Sequence, residues 1–446
     1  MKIKGKNIRS KDQGTVLIVA MWIMIILAAA AIVFAKYVQT EANAATNSAC
    51  AIQCEYIIHG AINYIFYQLD LEESEEESDL SYETSPYEGV QVGNGYFWVL
   101  RPNISDDTNY DYGLSDEAGK INLNSASLEM LLKLPSMTSE LANAIIDWRD
   151  KNQEVSTGGA ESEYYLLLDD PYSCKNSDLE SVEEVFLVKG VSVDYVFGED
   201  LNRNGILDWN ENDGAETLPA DNANGSLDAG FYNYVTVYSY EPNKGADGGE
   251  RINVSDPKNM SKISQLVQKA CPDRYTIIMG RIRLKQQYSS LIEFYFASTM
   301  TADEFGPMID KLTTTDEDTL KGLVNVNTAS SAVLLCLPGL EQSDVDAMIT
   351  KREDENTNTD NILWVTEVLT PMKAVEIGPY ITTNSFQYSA DITAASSNGS
   401  TFKRYNVVID TADSQKQVVF RQSLTTLGWP LDAEILTKLK TEKTTE

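Results

Sequence analysis

The chain has 446 residues, of which 35 are basic and 67 are acidic, so its formal net charge at neutral pH is −32. A protein this acidic repels the phosphate backbone of nucleic acids, and general nucleic-acid binding is therefore not expected. Its single histidine leaves no Ser-His-Asp or Cys-His set, so hydrolase chemistry of those kinds is not expected either. The length is sufficient for two or three domains with cores of their own.

The N-terminal region combines a basic stretch with a long apolar run. Five basic residues lie within the first 11 positions, and residues 15–35 then carry no charge. A helix of that length, at about 1.5 Å per residue, spans roughly 30 Å, which is the thickness of a bilayer core. The basic flank predicts a cytoplasmic N-terminus with the rest of the chain exported. The sequence predicts one transmembrane helix over 15–35, continued by an amphipathic helix over 36–69.

Three interpretations of this region are open from the residues alone. A cleavable secretory signal has a shorter apolar part, of about 7–15 residues, and a plain signal anchor is not cut. The third interpretation starts from Gly14, which directly precedes Thr15 and the apolar run. This arrangement resembles a type IV prepilin leader over residues 1–14, in which a peptidase cuts after the glycine. Most pilin-like subunits have Glu at the fifth position of the mature chain, where this sequence has Val19.

A repeated pattern organises the middle of the chain. Two similar stretches begin at Lys120 and Lys321, and in both an Asn-rich segment with Ser or Thr precedes an apolar segment, as helix N-caps do. A Leu-Pro step then ends the first predicted helix, and an arginine closes the second. A weaker third copy begins at Arg251. These stretches look like helix-hairpin-helix units.

The spacing of oxygen-bearing residues after residue 198 indicates a calcium loop. A twelve-residue loop of the EF-hand type takes side-chain ligands from positions 1, 3, 5, 9 and 12 and a carbonyl from position 7, with Gly at position 6. Gly205 occupies position 6. The sequence therefore predicts Ca²⁺ as a cofactor within residues 198–230. The predicted ligands are Asp200, Asn202, Asn204, the carbonyl of Ile206, Asp208 and Glu211.

A second, weaker loop follows with the same core pattern. Its first and twelfth positions are Ala220 and Phe231, so two carboxylates are missing. A weak second site and a simple turn are both compatible with this pattern. The candidate ligands are Asn222, Asn224, Ser226 and Asp228.

The regions on either side of the predicted helical insertion are predicted to form strands. Residues 70–119 contain an acidic loop over 70–79 and an aromatic, β-branched strand over Gly95–Arg101. Residues 385–430 alternate polar and β-branched residues around Asn398-Gly399, which predicts an antiparallel meander with a tight turn. Residues 431–446 read as a polar tail. The predicted fold is α+β: a long N-terminal helix, a pilin-like antiparallel sheet, and a large inserted, mostly helical domain over residues 120–384.

Several motifs in this order resemble the K-type minor pseudopilin (GspK) of type II secretion systems. They are the leader without Glu at position five, INLNSAS, IIDWRD, GGAESEYY and SVEEVFLVKGV. The resemblance implies a non-enzymatic subunit at the tip of the pseudopilus, which initiates or caps fibre assembly. It implies a single-pass inner-membrane protein with a periplasmic head. The implied partners are the prepilin peptidase, the I, J and H types of minor pseudopilin, and the major pseudopilin.

Two other functions stay open from the sequence. One is an envelope protein that captures DNA during uptake through helix-hairpin-helix units. The hairpin regions contain few basic residues for this purpose, and their surroundings are acidic. The other is a membrane-anchored, calcium-binding adhesin that joins no fibre, which an uncut N-terminus would favour.

Overall fold

The structure is a computed structural model that describes residues 12–73, 85–103, 107–413 and 415–442. Residues 1–11 of the predicted leader and residues 74–79 of the predicted acidic loop lie outside this description. The strands are β1 (Val90–Val92), β2 (Gly95–Arg101), β3 (Asp111–Tyr112), β4 (Ser115–Asp116), β5 (Ile121–Asn122), β6 (Val235–Thr236), β7 (Tyr240–Pro242), β8 (Ile252–Asn253), β9 (Leu312–Thr313), β10 (Thr319–Lys321), β11 (Val324–Asn325), β12 (Ile381–Thr382), β13 (Gln387–Ala395), β14 (Phe402–Asp410) and β15 (Gln417–Ser423). The helices are α1 (Asp12–Glu73), α2 (Leu128–Leu131), α3 (Ser139–Arg149), α4 (Ser162–Tyr165), α5 (Val193–Val196), α6 (Met260–Ala270), α7 (Tyr275–Ile282), α8 (Leu291–Ser298), α9 (Ala302–Ile309), α10 (Ser331–Leu335), α11 (Gln342–Arg352), α12 (Val365–Val368), α13 (Pro371–Ile377) and α14 (Ala433–Glu442).

Helix α1 is continuous over 62 residues and joins the two segments that the sequence predicts separately. No proline interrupts its backbone hydrogen bonds, and it ends four residues beyond the predicted boundary, at Glu73. Side chains over residues 15–49 are exposed, whereas one face of the following turns is buried. That face includes Cys54, Ile57 and Ile58. The helix is therefore free along its apolar half and packed along its second half.

The packed half of α1 lies on an antiparallel sheet with the order β1-β2-β13-β14-β15. β3 pairs with β2, and β4 pairs with β13. Strand β2 comes from the region before the helical insertion, and β13 to β15 come from the region after it, so the insertion is bracketed by one sheet. Gly399, with φ 57°, lies in the turn that joins β13 and β14. The predicted strand, meander and turn are confirmed.

The prediction of a polar tail at the C-terminus is wrong. Residues 433–442 form α14, whose Leu439 is 8% exposed and packs in a cluster with Trp98 and Leu431. Trp429 lies edge-on to Trp98 at 5.6 Å between ring centroids. The segment is polar because most of the helix surface faces water. A few apolar residues on one face are enough to attach it to the sheet.

Three structural units repeat within the insertion. Each begins with an apolar residue and Asn in a short strand, continues through helices, and returns with an apolar residue and Thr in a parallel strand. The pairs are β5 with β6, β8 with β9, and β11 with β12. In each unit the residue after the Asn donates its backbone N–H to the Thr carbonyl, as Leu123 does to Thr236. The third copy suggested by the sequence is therefore present.

The first and second copies share one core, and the third copy has its own. Ile121, Trp148, Val324 and Trp364 belong to the shared core, whereas Ile263 and Phe294 belong to the core of the third copy. Pro135 and Pro338 follow the first helix of their units, and α3 and α11 end at Arg149 and Arg352, as predicted.

Candidate functional site

Within the described residues, one helix is long and apolar enough to cross a membrane, over Thr15–Leu71. Its most apolar window is not buried anywhere in the protein. Val19, at the fifth position after Gly14, is 52% exposed, so its side chain is available to lipid or to a neighbouring helix. Gly14 and Thr15 lie in the first turn of α1.

The predicted calcium loop folds around Asp200. Its carboxylate accepts hydrogen bonds from the backbone N–H of Asn204 and of Gly205, both at 3.0 Å. Gly205 has φ 71°, a left-handed conformation that glycine adopts without strain. The loop thus makes the tight turn that its spacing predicts.

The remaining predicted ligands gather around Asp208. The side-chain amides of Asn202 and Asn204 donate to Asp208 Oδ2 at 2.6 and 3.1 Å. Glu211 Oε2 accepts the N–H of Asp208 at 3.1 Å, so this glutamate faces back into the loop. The structure brings these side chains together. The Ile206 N–H donates to Asn204 Oδ1.

The carboxylates of this loop are buried and close to one another. Asp200 is 4% exposed and Glu211 is 2% exposed. Burial, together with the charges of Asp200, Asp208 and Glu199, raises the pKa of Glu211 to about 8. Burial likewise raises the pKa of Asp200 to about 6. Carboxylates held this way favour a bound cation, and their hard oxygen atoms suit Ca²⁺.

The donor set therefore fits calcium in its chemistry, although the fit depends on two amides. Asn202 and Asn204 direct their NH₂ groups toward Asp208, and their oxygen atoms would have to turn toward an ion. Across the described ranges, no three His, Cys, Asp or Glu side chains form a group that could hold a metal. A site here depends on amide and carbonyl oxygens as well as carboxylates.

The second predicted loop is a turn tied to the first. Asn222 donates to Asp228, and Asn224 Oδ1 accepts the Ser226 N–H at 2.8 Å. Glu199, which the sequence analysis missed, accepts the N–H groups of Asn222 and Asp228 at 3.2 and 3.1 Å. The predicted side chains are brought together, but Asn222 and Asn224 are exposed.

Arg404 on β14 holds the first loop against the sheet. This side chain is fully buried, and it donates to the carbonyl oxygens of Asn202 and Arg203, both at 2.6 Å. Its Nε atom donates to Asp391 on β13 at 3.0 Å. The sequence analysis missed this residue. A charged residue within a predicted strand is the only signal that could have pointed to it.

The hairpin turn at Gly339 is covered from within the chain. A side chain added at Gly339 would meet Glu376 Oε2 at 2.4 Å, so a carboxylate lies over this turn. Lys133 of the first copy donates to the carbonyl of Leu337 in the second copy at 3.0 Å. The two hairpins therefore pack on each other, with a carboxylate at the place where a DNA phosphate would have to approach.

The basic residues of the hairpins also make internal contacts. Arg352 donates to the carbonyl oxygens of Val326 and Ala329 at 3.1 and 2.6 Å, and Arg149 makes the equivalent contacts in the first copy. Lys351 pairs with Glu367 at 2.9 Å. These cations stabilise the fold rather than form a basic surface.

Residues 114–196 match the family model described as type II secretion system protein K. No curated protein matches the chain. Among solved structures, the chain is similar to one in the crystal structure of the GspK-GspI-GspJ complex from the type 2 secretion system of enterotoxigenic Escherichia coli. That match has 10% sequence identity and a TM-score of 0.37, and it covers 82% of this chain and 98% of the other.

Proposed function

We propose that the chain is a protein K of a type II secretion system and acts as a minor pseudopilin at the tip of the pseudopilus, because residues 114–196 match the model of that family. The family match is the observation that carries this proposal. The chain also joins one exposed apolar helix to a head built on an antiparallel sheet, as a pilin-like subunit requires. Its part in protein export across the outer membrane is structural, and we propose no catalytic role.

The proposed position in the membrane follows from α1. The apolar half spans the inner membrane, with the basic N-terminus in the cytoplasm and the head in the periplasm. A prepilin peptidase cuts after Gly14 and leaves Thr15 as the new N-terminus. The packed half of α1 then holds the head close to the membrane surface until the subunit enters the fibre.

The tip position rests on Val19. In pilin-like fibres, a Glu at this position neutralises the N-terminal amine of the adjacent subunit. Val19 has no charge and therefore makes no such pair, so this subunit gains nothing from a neighbour above it. The large inserted domain would also block, for steric reasons, the addition of a subunit above this one. Both features favour a subunit that starts or caps the fibre.

The proposed partners are the I, J and H types of minor pseudopilin and the major pseudopilin. Ile52 and Tyr56 lie one turn apart on α1 and are 58% and 72% exposed, next to the buried face of the same helix. Apolar side chains at this spacing suit contact with a second helix. We place the partner helices along this stripe.

Co-purification of the full chain with the I- and J-type subunits of the same secretion system, in detergent, tests the proposal. Wild-type protein is expected to retain both subunits. Ile52→Asp, which places a charge on the exposed stripe without touching the head core, is expected to lose them. Asn47→Asp, at an exposed position five residues earlier on the same helix, serves as the control. Failure of the wild-type chain to retain either subunit contradicts the proposed role.

We also propose that residues 200–211 bind Ca²⁺. Asp200, Asp208 and Glu211 would supply carboxylate oxygens, Asn202 and Asn204 amide oxygens, and Ile206 its carbonyl. The ion would offset the repulsion among the buried carboxylates. Because Arg404 attaches this loop to β14, the ion would stabilise the contact between the insertion and the sheet.

Thermal unfolding of the full chain with and without millimolar calcium tests this site. An ion present at 100 times its dissociation constant stabilises the folded state by about 2.7 kcal/mol, so the unfolding temperature should rise. The double variant Asp208→Asn with Glu211→Gln should lose most of that rise. Asp169→Asn, which removes an exposed carboxylate elsewhere, should keep it. An unfolding temperature that does not respond to calcium in the wild-type chain rules the site out.

The two alternatives receive less support. DNA capture would need a basic hairpin surface, but Arg149, Arg352 and Lys133 bond within the chain, and Glu376 covers one turn. No nucleic-acid partner is therefore proposed. An anchored adhesin would carry the same calcium loop, and the fate of the bond after Gly14 distinguishes it from a pseudopilin.

A further inference from the structure

The third helical copy carries a basic hairpin on an otherwise acidic protein. Helices α6 and α7 are joined by the four residues 271–274, and they share the core of the third copy. Residues 258–285 contain seven basic residues and one acidic residue, Asp273, whereas the whole chain has a net charge of −32. This hairpin is therefore a local region of positive charge. Its basic residues are Lys258, Lys262, Lys269, Arg274, Arg281, Arg283 and Lys285.

Most of these cations make no ion pair. Arg274 pairs with Glu304 at 2.5 Å, and Lys285 pairs with Glu293. In the part of the chain that the structure describes, the other five form no ion pair, and all five residues are exposed. The first two copies differ, because their closing arginines donate to carbonyl oxygens of their own units. The charges of the third copy are therefore available to a partner.

Exposed apolar side chains lie among the cations of α7. The inner side of the helix is buried, with Ile278 and Ile282 both 0% exposed. Ile277 and Leu284 are 62% and 80% exposed, and Arg281 lies between them at helical spacing. The turn continues past the end of α7, since the Leu284 N–H donates to the Arg281 carbonyl at 3.0 Å. Residues at positions i, i+4 and i+7 share one side of a helix, so α7 has a second face on which two apolar side chains flank an arginine.

This combination favours a lipid surface over nucleic acid. Phosphate contacts with DNA are made by polar and basic side chains and by backbone amides, and an exposed isoleucine or leucine adds nothing to them. The turn between α6 and α7 contains Pro272, which has no N–H to donate, and the acidic Asp273 follows it. Helices that lie on anionic membranes combine cations with apolar side chains that enter the headgroup region. The third copy has both kinds of side chain on one hairpin.

We propose that the α6–α7 hairpin binds the surface of a bilayer that contains anionic phospholipids. The exposed lysines and arginines contact the headgroup phosphates, and Ile277 and Leu284 enter the boundary between headgroups and acyl chains. The acidic remainder of the chain weakens this attraction little, because the Debye length at physiological ionic strength is about 8 Å. The membrane position proposed for α1 keeps a bilayer near the head, and this step alone rests on the proposed function.

Co-sedimentation with vesicles tests this face of the hairpin. The full chain is first held in nanodiscs of phosphatidylcholine, so that α1 is already embedded and does not enter the vesicles. Sucrose-loaded vesicles of phosphatidylcholine and phosphatidylglycerol in equal parts should sediment these nanodiscs, and added salt should weaken the binding. Vesicles of phosphatidylcholine alone should not sediment them. Neither kind of vesicle should sediment nanodiscs that lack the protein.

Two double variants separate the two kinds of contact. Arg281→Gln with Arg283→Gln removes two charges and should weaken vesicle binding by about thirtyfold. Ile277→Gln with Leu284→Gln keeps every charge and removes the apolar side chains, and it should weaken binding by about tenfold or more. A loss in both variants is the signature of a membrane surface, because a purely electrostatic partner would respond to the first variant alone.

Lys151→Gln with Lys438→Gln is the matched control, since it removes two exposed charges away from the hairpin and should bind as the wild-type chain does. All six substituted positions are exposed, so every variant should unfold at about the wild-type temperature. The proposal is overturned if anionic vesicles do not sediment the wild-type chain, or if either hairpin variant binds as well as the control. It is also overturned if the nanodiscs bind a double-stranded DNA fragment and not the vesicles. The assay needs no partner subunit and no cleavage after Gly14, so its failure leaves the proposed function untouched.

Discussion

Arg404 is the residue through which the central sheet holds the loop of residues 200–211. Its guanidinium is fully buried, contacts two loop carbonyls, and pairs with Asp391 on the neighbouring strand. Its partners are all polar and only partly exposed, with the side chain of Asp391 at 16%, so the arrangement is most favourable while it is complete. Through this side chain, the loop of the helical insertion is bonded to two neighbouring strands of the sheet.

Replacing Arg404 by methionine should lower the free energy of unfolding by about 3–5 kcal/mol. The change leaves Asp391 and the carbonyls of Asn202 and Arg203 without this donor in a place that is largely shielded from water. Chemical denaturation of the full chain in detergent measures this. Arg101→Met is the matched control, since its pair with Asp111 is exposed and should contribute about 1 kcal/mol or less. Equal losses in the two variants would contradict the role of Arg404.

At the scale of single residues, the spacing in the sequence was enough to find the loop of residues 200–211, for which we propose calcium binding. Asp200, Asp208 and Glu211 lie within twelve residues, so local geometry determines that they converge. Arg404 lies about 200 residues away, and no local pattern connects it with the loop.

Helix α1 reaches the sheet through a contact that requires glycine. A side chain at Gly95 on β2 would meet Ile57 Cδ1 at 2.4 Å and the Ala395 carbonyl oxygen at 2.6 Å. The helix and the strands can therefore approach closely, and the buried face of α1 fits the sheet at this point. The glycine therefore allows the second half of α1 to pack directly against the sheet.

Gly95→Ala should destabilise the head by about 1–3 kcal/mol, because the added methyl group forces α1 and β13 apart. The measurement is thermal or chemical unfolding, followed by the fluorescence of the tryptophans in the head. Gly280→Ala in α7 is the control: nothing lies near its added methyl group, and helix propensity favours alanine by about 1 kcal/mol. If Gly95→Ala is as stable as wild type, the close packing of α1 is incorrect.

Helix α14 should contribute to stability even though its sequence is polar. Leu439→Ala removes a side chain packed against the outer face of the sheet and should cost about 2 kcal/mol. Lys438→Ala, whose side chain is 71% exposed, should change stability little. Denaturation curves of the two variants test the helix directly. If Leu439→Ala behaves like Lys438→Ala, residues 433–442 are a tail after all.

The elements that the sequence predicted are those with a long or regular pattern. Helix α1, β2 and β13 to β15 carry apolar runs or alternation over seven residues or more. The parallel pairs of two-residue strands have no period to detect, and the repeated Asn and Thr only suggested them. Helix α14 was missed because it has few apolar residues. Their packing depends on a sheet face that is distant in the sequence, and tertiary contacts of this kind override local propensity.

The whole molecule is strongly acidic, and the basic residues of its first two hairpins make contacts within the chain. The net charge is −32, and the arginines of the hairpins bond to carbonyl oxygens of their own units. The insertion begins and ends on the sheet that packs against the second half of α1.

The intact mass of the full chain, expressed with and without a prepilin peptidase, tests the central claim most directly. We predict that the peptidase removes residues 1–14 and leaves Thr15 as the N-terminus. Gly14→Leu, which places a bulky side chain at the cut position, should prevent this. A chain that stays full length with the peptidase, or that is cut near Ala35 instead, would contradict the pseudopilin account.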